Sequence, residues 1–199
     1  MKRGMDRWIK WTLWYVGLTL IGWGTLGCDG DGGGGGGLRF RVDGDQAFVS
    51  GNLGEGAPGQ VDSFLRENPD VSTLVLVDLP GSSDDDANLA AARMVRAAGL
   101  DTHVPANGGI FSGGVDFFLA GVRRTVEPGA ELGVHSWAEG DVQGRDLPRD
   151  DPAHQVYLDY YRDMGIPTSF YWFTLDAAPV ESIHTMSEAE MRQFRVITN

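Results

Sequence analysis

The chain has 199 residues, 42% of them hydrophobic, and a formal net charge of −12. A surface this acidic repels nucleic acid and anionic lipid, so neither is expected as a direct partner. No lysine lies beyond Lys10 and Cys28 is the only cysteine, which excludes a Ser/Lys dyad, a Schiff-base lysine, a Walker-type phosphate loop, a disulfide framework and a thiolate site from the folded part.

The first segment is read as a targeting signal rather than as fold. Lys2, Arg3, Arg7 and Lys10 make a positive start, Trp11 to Leu26 is apolar, and Thr25-Leu26-Gly27-Cys28 ends it. Residues 1–27 are therefore expected to be a lipoprotein signal peptide and Cys28 the lipidated residue, although Thr25 stands where such signals usually carry leucine. Residues 28–37, with six consecutive glycines, form a tether without apolar side chains to bury. Without the signal, 12 basic side chains face 27 acidic ones, a charge of −15. Membrane attachment is then expected through the lipid anchor alone, with the domain outside the cytoplasm.

Residues 38–199 are expected to form one α/β domain. Strands are predicted over 38–42 and 46–50 around Asp43-Gly44-Asp45, then a helix over 58–68 with Val61, Phe64 and Leu65 on one face. Thr73 to Val77 is continuously apolar, the pattern of a strand buried on both faces of a parallel sheet. Asp84-Asp85-Asp86 opens a helix to Ala98, closed by Gly99, and the three acids are read as cap and dipole partners rather than as a metal site. Thr102-His103-Val104 is a short strand. Ser112, inside the glycine-rich turn Gly108 to Gly114, begins an apolar helix ended by Gly121. Short strands over 124–126 and 131–136 flank Pro128-Gly129. Asp151-Pro152 opens a helix to Gly165, with His154, Tyr157, Tyr160 and Tyr161 as packing or helix surface, and Ser187 to Glu190 is a capping box for a last helix.

Ser112 is followed 23 residues later by His135, within the strand-like run Leu132 to Trp137. A serine hydroxyl needs an imidazole within hydrogen-bond reach and backbone donors for the oxyanion. Here the donors would be the turn at Gly81-Ser82 and the N–H of Gly113. Each residue also has a plainer role, Ser112 as a helix N-cap and His135 as a satisfied core histidine. The four histidines, His103, His135, His154 and His184, show no metal-ligand spacing, so no metal or cofactor is expected.

The ordered series Glu67-Asn68-Pro69, the strand Leu74 to Asp78, Leu79-Pro80-Gly81-Ser82, the helix Ala87 to Ala98, Ser112 heading a helix, Leu119-Ala120-Gly121, Pro128-Gly129-Ala130, Leu132 to Ser136 and Met186 to Met191 resembles the Clp protease/crotonase superfamily, in particular its exported Clp-protease-like branch. The resemblance covers about Gln46 to Thr198. It implies a ββα-spiral fold with Ser112 as nucleophile, His135 as base, and Gly81, Ser82 and Gly113 lining the oxyanion hole. Ser82 replaces the family's second glycine, which narrows the backbone angles available and threatens the hole's shape. The family's aspartate falls near Glu181, Ser182 or Ile183. Glu181 is the carboxylate there, and Asp176 is a more distant candidate for the third member.

The expected function is a membrane-tethered serine peptidase or related acyl hydrolase acting on an unknown peptide or protein. The alternative is a catalytically inactive Clp-protease-like binding or assembly module of the cell envelope. An α/β-hydrolase using Ser112, Asp176 and His184 is a third reading, weakened because Ile110 stands where Gly-x-Ser-x-Gly needs glycine. Homo-oligomerisation is expected by analogy with the superfamily, with Tyr157, Tyr160, Tyr161, Phe170, Tyr171 and Trp172 as either interface or core. An ATPase partner and coenzyme A substrates are not expected outside the cytoplasm.

Overall fold

The computed structural model describes residues 37–198. The signal segment and Cys28 lie outside the described residues. Among those described, no helix is long and apolar enough to cross a membrane. The strands are β1 (Arg39–Asp43), β2 (Gln46–Ser50), β3 (Thr73–Leu79), β4 (Asp101–Val104), β5 (Gly109–Phe111), β6 (Arg124–Val126), β7 (Glu131–Val134), β8 (Ala138–Glu139), β9 (Val142–Gln143) and β10 (His184–Thr185). The helices are α1 (Ala57–Glu67), α2 (Asp85–Ala97), α3 (Gly113–Leu119), α4 (Gln155–Asp163), α5 (Thr168–Ala177) and α6 (Glu188–Gln193).

The sheet forks at β3. Along one side β3 runs parallel to β2, which closes a hairpin with β1; along the other, Thr73 to Val75 pair with β4, while Asp78 and Leu79 pair with β5. The fork follows from Pro105, which cannot donate to a ladder and ends β4. The chain rejoins at Gly108, where a Cβ would lie 2.9 Å from Pro105 Cδ and 3.0 Å from the Leu76 carbonyl oxygen, so a side chain there would force its neighbours to shift. From the fork, β4 pairs with β6 and β5 with β7, and β7 takes β10 antiparallel. The order strand, strand, helix recurs as β1-β2-α1 and β4-β5-α3. Helices α1 and α2 bury one face each, Val61 and Phe64 of the first and Leu89, Ala92 and Val95 of the second, whereas α3 is buried nearly all round, with Phe117, Phe118 and Leu119 in the core. Asp84 caps α2 by accepting from the Ala87 N–H at 2.9 Å, and Ser187 with Glu190 forms the expected capping box of α6.

Several expectations need correction. β7 ends at Val134, so His135 lies just past the strand rather than inside it, because the Ser136 N–H leaves the ladder to bond the Ala178 carbonyl at 2.9 Å. The glycine-rich turn before Ser112 contains β5. The helix after Asp151 opens as a 3-10 turn over Pro152–His154. Helix α5 was not expected: it is apolar nearly all round, and its period gives no face to read. Tyr160, Tyr161, Phe170 and Tyr171 are buried within the chain, at 0 to 3% exposure, so they are core and not an interface. His154, read as packing or helix surface, is fully buried.

Candidate active site

Ser112 and His135 leave the C-terminal ends of the neighbouring parallel strands β5 and β7, the edge of an α/β sheet at which ligands commonly bind. The Ser112 N–H donates to the Gly133 carbonyl at 2.8 Å, fixing the serine to the strand that carries the histidine. Gly133 is required there. A Cβ on it would meet Phe111 Cδ1 and Ile183 Cγ2 at 2.5 Å. Both Ser112 and His135 line one pocket, together with Asp85, Asp116, Trp137, Tyr157, Tyr161 and Tyr171.

The plainer roles of both residues fail on geometry. Ser112 occupies the N-cap position of α3, yet its side chain makes no capping hydrogen bond, and its backbone stands at φ +52°, ψ −126°. A non-glycine residue held there stores roughly 1–3 kcal/mol of strain, which clusters at functional positions. His135 is not a satisfied core histidine, because its buried Nδ1 has no hydrogen-bond partner. Burial lowers its pKa below the usual histidine value, opposed by the nearby Ser136 main chain and by the negative charge of Asp85. The Ser136 approach falls short of hydrogen-bond geometry, so it leaves Nδ1 unpaired. The imidazole is therefore neutral at pH 7, the form a base needs. Ser112 and His135 are not hydrogen-bonded to each other; a nucleophile and its base commonly close up only around substrate.

The Gly81-Ser82 turn is held from one side. Leu53 N–H donates to the Gly81 carbonyl at 3.2 Å, and Ser83 N–H donates to the Leu53 carbonyl at 2.9 Å. In this parallel bridge Leu53 bonds on either side of Ser82, so the Ser82 N–H points away from Leu53. Gly81 stands at φ +148°, where glycine is needed, whereas Ser82 has no positive φ. Serine is thus accommodated at the second position. Gly113 abuts this turn: a Cβ on it would lie 2.6 Å from Ser82 Cβ and 2.8 Å from Asn88 Nδ2. Asn88, fully buried in α2, donates to the Gly113 carbonyl at 2.8 Å and so orients the first peptide of α3.

Neither carboxylate considered for a third member lines the pocket. Glu181 Oε1 accepts from Gln143 Nε2 at 3.2 Å and Asp176 faces Arg149 at 3.4 Å, both at the surface. The antiparallel register of β10 on β7, His184 opposite Val134, carries the chain before His184 past His135. His184 itself bonds Glu190 at 3.0 Å and lies outside the pocket, so the α/β-hydrolase constellation does not assemble.

The pocket's acids are ones the sequence reading assigned to caps or passed over. Asp85 Oδ2 accepts from the Tyr157 hydroxyl at 2.6 Å, and its Oδ1 accepts from Ser82 Oγ. Asp116 Oδ1 accepts from the Tyr161 hydroxyl at 2.6 Å. Burial pushes the Asp116 carboxyl up to about 7, against the Tyr161 hydrogen bond and with help from the charge of Asp85. Its signal was available: Asp116 lies four residues after Ser112, on the same face of an otherwise apolar helix. Behind these acids, Tyr157 stacks between Trp137 and Tyr171 with centroids 5.6 and 5.5 Å away. Tyr171 accepts from Trp137 Nε1 at 2.8 Å and meets His154 Nδ1 at 2.6 Å, which fixes the aromatic wall.

Comparison of the sequence with protein-family models and with curated proteins finds no match. Solved structures do match. A 1510-N membrane-bound stomatin-specific protease, a lysine-to-alanine mutant in complex with a substrate peptide, aligns with TM-score 0.53 and 15% identity over 75% of this chain and 71% of that one. A serine-to-alanine mutant of that protease aligns at 0.51 and 11%, over 75% of both chains. An enoyl-CoA hydratase/isomerase family member aligns at 0.50 and 15%, over 81% of this chain and 68% of that one. The domain therefore has a mixed α/β fold similar to that of a membrane-bound protease and of one enoyl-CoA hydratase/isomerase family member.

Proposed function

We propose that this protein is a serine peptidase or related acyl hydrolase in which Ser112 is the nucleophile and His135 the base. The observation that carries the reading is the Ser112 backbone, strained at φ +52° and with no cap bond to justify it, beside a histidine kept neutral by burial. Ser112 Oγ attacks the substrate carbonyl as its proton passes to His135, forming the C–O bond. Collapse of the tetrahedral intermediate breaks the bond to the leaving amine or alcohol, which takes that proton from the imidazolium. Water, deprotonated by His135, then releases the acyl group. The N–H groups of Ser82 and Gly113 are the donors for the oxyanion. With no lysine in the described residues, the base differs in kind from a Ser/Lys arrangement. A likeness in fold to a membrane-bound stomatin-specific protease supports the peptidase class. Lipidation at Cys28 would hold the domain at a membrane.

One observation favours the second reading, an inactive binding module: no carboxylate bonds the Nδ1 of His135. Burst kinetics separate the two. With a p-nitrophenyl ester, the active reading expects one equivalent of nitrophenol released rapidly per chain, abolished in Ser112→Ala and strongly slowed in His135→Ala. A burst that survives in Ser112→Ala, or none at all in the folded wild type, refutes it.

A further inference from the structure

The pocket beside Ser112 has a composition that selects a substrate, and the inference here rests on the nucleophile assigned above. It holds two carboxyl groups, Asp85 and Asp116, whose partners are hydroxyls: Ser82 and Tyr157 for the first, Tyr161 for the second. His135 is the only basic residue among its lining, and it is neutral. Buried carboxylates are normally paired with a cation. Here none is supplied, and the carboxyl of Asp116 stays protonated up to about neutral pH as a result.

The free volume is about 30 Å³, roughly two to three times the minimum that admits a water, so the pocket takes a small compact group. An ammonium matches it, with three donors to set against two carboxylates; a planar guanidinium with its five donors is larger. The pocket shares Asp85, Trp137 and Tyr157 with an outer groove of about 490 Å³ whose other charged residues are Asp84, Asp86 and Glu139. That groove has no basic residue either. Its Trp137 and Tyr157 give an apolar wall on which the methylene stem of a long side chain lies while its charged end reaches the acids.

We propose that the pocket formed by Asp85 and Asp116 is the specificity pocket of the enzyme, and that it takes the ammonium of a lysine side chain on the acyl side of the bond cut at Ser112. A neutral side chain of equal length leaves both carboxyls with their hydroxyl partners but no cation, which lysine supplies. Loss of one partner of a buried charge pair costs enough to change a rate about 30-fold or more.

The test compares α-aminoalkyl diphenyl phosphonates bearing lysine, norleucine and arginine side chains on the full chain in detergent, with an unselective fluorophosphonate as reference. The lysine probe is expected to label Ser112 at least about 30-fold faster than the norleucine probe and faster than the arginine probe, and Asp116→Asn to shrink the lysine preference. Equal rates for lysine and norleucine, with the reference probe labelling Ser112, overturn this inference and leave the nucleophile standing. An arginine probe as fast as the lysine one overturns the ammonium assignment. Failure of every probe, the reference included, removes the nucleophile itself and this inference with it.

Discussion

Replacing Asp116 by asparagine probes the electrostatics of the pocket without changing its shape. The carboxyl is enclosed under Tyr161, and its pKa is raised from 3.8 to about 7. Between those values the folded chain keeps the proton that the unfolded chain releases. Stability is therefore fully present below the unfolded value and falls as pH rises to the folded one. At about 1.4 kcal/mol per pKa unit, the loss reaches about 4 kcal/mol once both states are ionised, an upper bound where water relaxes the site. Asparagine cannot titrate and keeps an oxygen for the Tyr161 hydroxyl, so its stability lacks this loss. The other titratable groups facing the position, Asp85, Tyr157, Tyr160, Tyr161, Tyr171 and His135, are common to both proteins. Thermal unfolding of residues 38–199 at pH 5 and pH 8 measures the difference. A domain of this size shifts roughly 2–4 °C per kcal/mol. About 3 kcal/mol of that loss falls between pH 5 and pH 8, so the melting point of Asp116→Asn relative to wild type is expected to rise by about 5–10 °C between the two. A constant offset between the two at both pH values refutes the buried, protonated carboxyl.

Further outcomes follow from single contacts. Ser112→Gly relieves the backbone at φ +52°, and is expected to stabilise the domain by about 1 kcal/mol in urea titration while abolishing the ester burst. Arg124 is buried and donates to the carbonyls of Gly121, Arg195 and Val196 at 2.8 to 2.9 Å; Arg124→Ala is expected to cost about 3 kcal/mol in the same titration and to expose the C-terminal segment to proteolysis. Cys28→Ala is expected to block processing or to release the protein from the membrane fraction, and wild-type processing and fractionation of that variant would contradict the lipid anchor. Sedimentation at micromolar concentration is expected to show an oligomer, formed through surfaces other than the buried tyrosines; monomer alone would contradict self-association.

The sequence disclosed the fold through order more than through any single signal. The apolar run of β3, the Asp84 cap and the Ser187 capping box each reflect local physics, and each appears where expected. Helix α5 escaped because its half-exposed face carries Trp172 and Phe173, so apolar residues lie on both faces and no period shows. Of the candidate site, Ser112 and His135 were singled out because a glycine-rich turn and an apolar strand-like run are local features. The acids were not. Asp85 belongs to a run of three in which Asp84 is the cap, and only the packing of α4 brings Tyr157 onto its neighbour. Glu181 was chosen by alignment along the chain, but in space its carboxylate meets Gln143 at the surface.

The claim that Ser112 is an activated nucleophile is tested most directly by fluorophosphonate labelling followed across pH, with the modified residue located by tandem mass spectrometry. The account predicts a single adduct on Ser112 and a rate reduced by orders of magnitude in His135→Ala. Because burial lowers the pKa of His135, the imidazole stays neutral as pH falls, and the rate should begin to drop only below the ordinary histidine value of about 6.5. No adduct on folded protein at pH 8, or an adduct whose rate is indifferent to His135→Ala, would contradict it.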